Sequence, residues 1–140
     1  MKIFIDANIL VSVLNHEYPL FNYSSRILSL ADTPNYQIFT SPICLAIAFY
    51  FSEKKSGRKL AKKKLEVLCK KVKSTLVNQE IVQSAIHNPK ILDFEDGLEY
   101  YSAIHSGCDL ILTEDKTDFY FSELPVLNST EFIRQYFGEK

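Results

Sequence analysis

Four aspartates stand just past an apolar run or in the first turn of a helix. Asp6 follows Ile3-Phe4-Ile5, Asp96 lies within Leu92-Asp93-Phe94-Glu95-Asp96-Gly97, and Asp115 and Asp118 follow Leu110-Ile111-Leu112-Thr113. Carboxylates brought close together raise one another's pKa, and a divalent cation removes that conflict. Oxygen donors without histidine or cysteine favour Mg2+ or Mn2+ over Zn2+. Such a site suits phosphoester hydrolysis, in which the metal activates water and stabilises charge on the phosphate. Each aspartate also has a purely local use. Asp6 can cap the helix that follows it, Asp96 can complement a helix dipole, and Asp115 and Asp118 can form turns.

For the four to meet, the elements that carry them must share an edge. Ile3–Ile5 reads as a buried strand, and Tyr36–Phe39, Ser74–Val77, Leu110–Thr113 and Val126–Leu127 are further strand candidates. Helices are expected from Ala7 to about Asn15, Leu20 to Ala31, Pro42 to about Glu53, Arg58 to about Val72, after Asn78, after Asp93, and from Asn128 to about Phe137. Ser41-Pro42 is a helix start, with Ser41 as N-cap, and Asn128-Ser129-Thr130-Glu131 has capping-box spacing. The helix after Pro42 is apolar nearly all round, which predicts that it is buried. The alternation predicts one α/β domain over residues 1–140, a three-layer α/β/α sandwich on a parallel sheet of four or five strands. Strand carboxyl ends and the following helix N-termini then lie on one edge, where ligands bind.

The net charge of −1 conceals an asymmetry. Residues 54–73 hold ten basic side chains and the single acid Glu66, a charge of +9 that leaves −10 on the remainder. A basic block beside an acidic remainder suits a protein that grips a polyanion with one part and a cation with another. Arg58, Lys59, Lys62 and Lys63 are the candidate contacts to such a polyanion; the alternative is a solvated helix face. Cys44, Cys69 and Cys108 are odd in number and widely spaced, which fits reduced core thiols and excludes a disulfide framework or zinc site. Neither a signal peptide nor a membrane span is expected, and the expected location is the cytoplasm.

Phe4-Ile5-Asp6-Ala7-Asn8-Ile9-Leu10 resembles the FxDTNxLL opening of PIN-domain proteins. Asp93–Ala103 resembles the family's DFEDALQYxSA block, and Ile111–Phe119 its IxTRNxxDF block. Leu124-Pro125-Val126-Leu127 with Glu131-Phe132 is similar to its closing pattern. Members of this family, the VapC-like toxins among them, are largely Mg2+- or Mn2+-dependent ribonucleases, many paired with a small antitoxin. The resemblance implies a PIN-like fold, metal-dependent endoribonuclease activity on RNA, an antitoxin partner and a homodimer. It implies Asp6, Asp96, Asp115 and Asp118 as catalytic and metal-binding residues, supported by Thr113 and Asn8. Two departures bear on the site. Ile47 or a near neighbour stands where many members carry a third-helix glutamate, and Glu114-Asp115 stands where the pattern has Arg-Asn, so that Asp115 adds a full carboxylate in place of an amide oxygen. The different expectation is a catalytically silent module that binds RNA or a protein partner. A haloacid-dehalogenase-like phosphatase fits less well, because its Asp-x-Asp motif meets Asn8 here.

Overall fold

The computed structural model describes residues 1–138, so the last two residues of the expected domain lie outside the described residues. Five strands form one sheet in the order β3-β2-β1-β4-β5, every neighbouring pair parallel. They are β1 (Lys2–Ile5), β2 (Gln37–Thr40), β3 (Val72–Ser74), β4 (Leu110–Leu112) and β5 (Val126–Leu127). The helices are α1 (Ala7–Leu14), α2 (Phe21–Ser29), α3 (Pro42–Ser56), α4 (Arg58–Leu68), α5 (Gln79–His87), α6 (Phe94–His105) and α7 (Ser129–Phe137). They flank the sheet, giving the expected α/β architecture.

β1 occupies the centre because its last three residues are apolar on both faces of the sheet. Ile3, Phe4 and Ile5 are fully buried, as a strand covered on both faces requires. β1 pairs with β2 on one side and β4 on the other, and the register sets Ile5 beside Leu112. The next residues on these two strands, Asp6 and Thr113, therefore emerge side by side. Asp6 N–H continues the ladder to Leu112 C=O at 3.0 Å. Fully buried Thr40, at the end of β2, donates its hydroxyl to Ile5 C=O at 2.9 Å.

The helix starts follow their sequence signals. Ser41 Oγ accepts from Cys44 N–H, Asn78 Oδ1 from Ile81 N–H, and Asp93 Oδ1 from Asp96 N–H. Asn128 and Glu131 form the reciprocal capping box. Three expectations are corrected. α4 stops at Leu68, and Val72 joins β3, paired with Ile38 of β2, so the third strand is 72–74 and not 74–77. Val72 continues α4's apolar spacing, but pairing with β2 buries it better. α3 runs on to Ser56, and it is not buried all round: Cys44, Ala48 and Ser52 face inward, while Tyr50 and Phe51 are exposed. Cys69 is likewise exposed, unlike Cys44 and Cys108.

Candidate metal centre

Asp6 unites the two roles its position allowed. Oδ1 accepts from Ala7 N–H at 2.7 Å and caps α1, while Oδ2 accepts from the Thr113 hydroxyl at 2.8 Å. The carboxylate is nearly buried, held between the ends of β1 and β4. Asn8, in the first turn of α1, ties in the loop after β4. Its Nδ2 donates to Thr113 Oγ1 at 3.1 Å and to Asp115 Oδ2 at 3.3 Å, and its Oδ1 accepts from Glu114 N–H. Asp115 N–H donates to Thr113 Oγ1, and Asp118 N–H to Asp115 C=O, in the turn that carries both acids.

α6 enters from the other side. With Asp93 as N-cap, Asp96 falls in the first turn and faces the same cleft. Asp6, Asn8, Asp96, Asp115 and Asp118 line it together with Ile47 and Phe51 of α3, and with Glu17 and Glu95, which were not among the expected site residues. No lysine or arginine lines it among the described residues. The absence of a counter-charge is visible in the acidities. Burial, then the charges of Asp93, Asp118, Asp6 and Glu95, push Asp96 up to about 7. Burial and Asp115 push Asp118 up as well, and burial and Asp93 push up Glu95. Carboxyls that raise one another in this way fit a divalent cation.

A further acid lies beneath this cleft. Glu99, three residues after Asp96 on α6, is 1% exposed. Its Oε1 accepts from the Cys44 thiol at 3.3 Å, and that same sulfur lies 3.7 Å from Asp6 Oδ1. Its Oε2 is sealed from solvent and meets no N–H or O–H donor. One donor atom from each of Asp6, Cys44 and Glu99 lies within 4.8 Å of the others. Burial, and then the adjoining Asp6 carboxylate, push Glu99 up to about 10, and burial with the charges of Glu99 and Asp6 pushes the Cys44 thiol well up. The three-residue spacing from Asp96, which puts both acids on one helix face, is the sequence signal that marks Glu99. No sequence pattern singles out Cys44, which reaches the site only because Ser41 starts α3 there.

Glu114, in the place of a patterned arginine, does not face the cleft. Its Oε2 accepts from Ser129 N–H at 2.9 Å and satisfies the start of α7. The candidate RNA contacts are not in the cleft either: Arg58, Lys59, Lys62 and Lys63 are exposed on α4, with Arg58 paired to Glu53 at 2.9 Å. Other lysines of the basic block serve the fold. Lys64 donates to Leu14 C=O, and Lys71 pairs with Asp32.

A family model for the PIN domain matches residues 2–117. The chain is 27% identical to ribonuclease VapC1 of Aquifex aeolicus over 96% of its own length and 95% of that protein. Its fold is similar to VapBC2 of Rickettsia felis, solved bound to a DNA fragment from its promoter (TM-score 0.70, 20% identity, 91% of this chain and 98% of that one). It is also similar to Mycobacterium tuberculosis VapC20, a sarcin-ricin loop cleaving toxin (TM-score 0.64, 17% identity, 87% and 98%). VapBC-1 of Haemophilus influenzae is a further structural relative (TM-score 0.68, 17% identity, 93% and 99%). The family match spans both strands that frame the acidic cleft, and the chain belongs to the PIN-domain family.

Proposed function

We propose that this chain is a Mg2+- or Mn2+-dependent endoribonuclease, the toxin of a toxin–antitoxin pair. The observation that carries the reading is the convergence of Asp6, Asp96, Asp115 and Asp118 on one cleft lined by no cationic side chain among the described residues. The donor set suits a hard divalent ion, being carboxylate oxygens with Asn8 and Thr113 orienting them. When bound, that ion would supply the Lewis acid that activates water and stabilises charge on the scissile phosphate. In this reading Asp6 is the fixed ligand, because both its oxygens are already held. Asp96 closes the site from α6, and Asp115 and Asp118 complete it from a turn. The relatives' names support the substrate class: one is a ribonuclease and another cleaves the sarcin-ricin loop. Arg58, Lys59, Lys62 and Lys63 would hold RNA phosphates outside the cleft. Two structural relatives are VapBC assemblies, which supports a small antitoxin as partner.

The second reading, a silent module that binds RNA or protein, is favoured by half-buried Ile47, an apolar side chain on the cleft wall where the family pattern has an acid. RNA cleavage with added Mn2+ separates the two. Asp6→Asn and Asp96→Asn each lower cleavage by about a hundredfold or more if the acids hold the metal. Cleavage that survives in the purified double variant rules out the enzyme reading.

A further inference from the structure

The α3 wall of the cleft is apolar at Ile47, yet a buried acid stands behind it on a different helix. Glu99 enters from α6, one turn beyond Asp96, at a place where the pattern this chain resembles has glutamine. A fully buried carboxyl pressed against the Asp6 carboxylate, with an oxygen that no donor reaches, is costly to fold around unless it keeps a proton or meets a cation. Here that oxygen belongs to a side chain whose other oxygen is fixed by Cys44, and Cys44 also adjoins Asp6. Three elements thus converge: β1 through Asp6, α3 through Cys44 and α6 through Glu99.

We propose that Glu99 is the metal-holding carboxylate that replaces the absent α3 acid, its free Oε2 completing the cation site from below Asp6. The inference rests on the metal-site reading above and adds the residue and the direction from which its missing charge comes. Cys44 is a positioning residue in this arrangement. Its S–H fixes Oε1 and leaves Oε2 as the oxygen available to the cation. The arrangement suits a hard divalent ion, because the donor offered is a carboxylate oxygen and the buried thiol lies nearer to Glu99 Oε1 than to Asp6. It also accounts for Ile47. A second acid at that position would crowd a site that already draws carboxylates from Asp6, Asp96 and Glu99.

The test is Mn2+ binding by calorimetry on the full chain, with melting temperature measured on the same samples with and without Mn2+. The proteins are wild type, Asp6→Asn, Glu99→Gln and the double variant Glu99→Gln with Ile47→Glu. The amide keeps the shape of the buried side chain, so Glu99→Gln is expected to fold. Its Mn2+ affinity is expected to fall at least about tenfold, as loss of a ligand or of its support does, and its Mn2+-induced rise in melting temperature to shrink with it. The double variant returns an acid to the cleft from α3 and is expected to regain affinity. Wild-type affinity in Glu99→Gln, alongside loss of binding in Asp6→Asn, overturns the assignment of Glu99 and leaves the proposed function standing. No saturable binding in the wild type overturns both.

Discussion

The Thr113 hydroxyl donates to Asp6 Oδ2 at 2.8 Å, joining the ends of β1 and β4 across 107 residues of chain. The same oxygen accepts from Asp115 N–H and Asn8 Nδ2, so one fully buried hydroxyl sets both the central aspartate and the turn that carries the outer two. Thr113→Val keeps the shape and removes this junction. The expected result is a loss of about 1–3 kcal/mol in stability, the cost of leaving buried polar partners unmet, and a fall of about tenfold in metal-dependent cleavage. Thr113→Ser restores both. Denaturant unfolding and a cleavage assay check the pair.

The raised carboxyls give the metal-free protein a defined pH response. Asp96 titrates at about 7 in the fold against 3.8 as an ordinary aspartate, and Glu99 at about 10 against 4.5. Both therefore bind protons more readily folded than unfolded, so stability falls as pH rises. Their contribution is complete below about pH 4, decreases through neutrality, and is lost for Asp96 by about 7 and for Glu99 by about 10. The melting temperature of metal-free protein is expected to drop between pH 6 and pH 9. Saturating Mn2+ flattens the slope, because a cation favours the ionised forms. A metal-free melting temperature that rises across this range contradicts the acidities described.

The exposed basic side chains of α4 make a separable prediction. Charge reversal at Lys59, Lys62 and Lys63 is expected to weaken RNA binding uniformly across sequences. The salt slope falls by about one for each phosphate no longer neutralised. The Mn2+ affinity of the cleft is unchanged, since none of these lysines lines it. Filter binding across a salt series, paired with calorimetry, reads both. Replacing Arg58 alone costs little stability, because its partner Glu53 forms an exposed pair.

Glu114 predicts a stability effect without a catalytic one. Its carboxylate satisfies the first N–H of α7, so Glu114→Ala is expected to lower stability by about 1 kcal/mol. Its backbone N–H still reaches Asn8, so cleavage below the melting transition persists. Thermal denaturation and cleavage at low temperature distinguish the two effects.

The framework of the site was legible because it rests on local signals. An apolar run ending in Asp6 and an Asp93 cap placing Asp96 in the first turn act over a few residues, and a parallel sheet brings such ends together. What escaped depends on packing between elements. Val72 continues the apolar spacing of α4, yet pairing with Ile38 draws it into β3. The apolar surface of α3 suggested full burial, yet Phe51 lines an open cleft. Glu99 shares a helix face with Asp96, but its burial against Cys44 emerges only once α3 is packed against α6. Glu114 reads as a charge change near phosphate until α7 is seen to need it as a cap.

The central place of β1 has a consequence for synthesis. Asp6 leaves the ribosome early, but Thr113, its partner just past β4, is made 107 residues later, and Asp118 later still. Until then one edge of β1 has no partner, and pairing across so long a loop is entropically slow. A chain interrupted before Leu110 carries the first aspartate and the whole basic block, yet has no cleft. Under the proposed function, cleavage begins only after translation of β4 and the turn beyond it, so incomplete chains are expected to be inactive toward RNA.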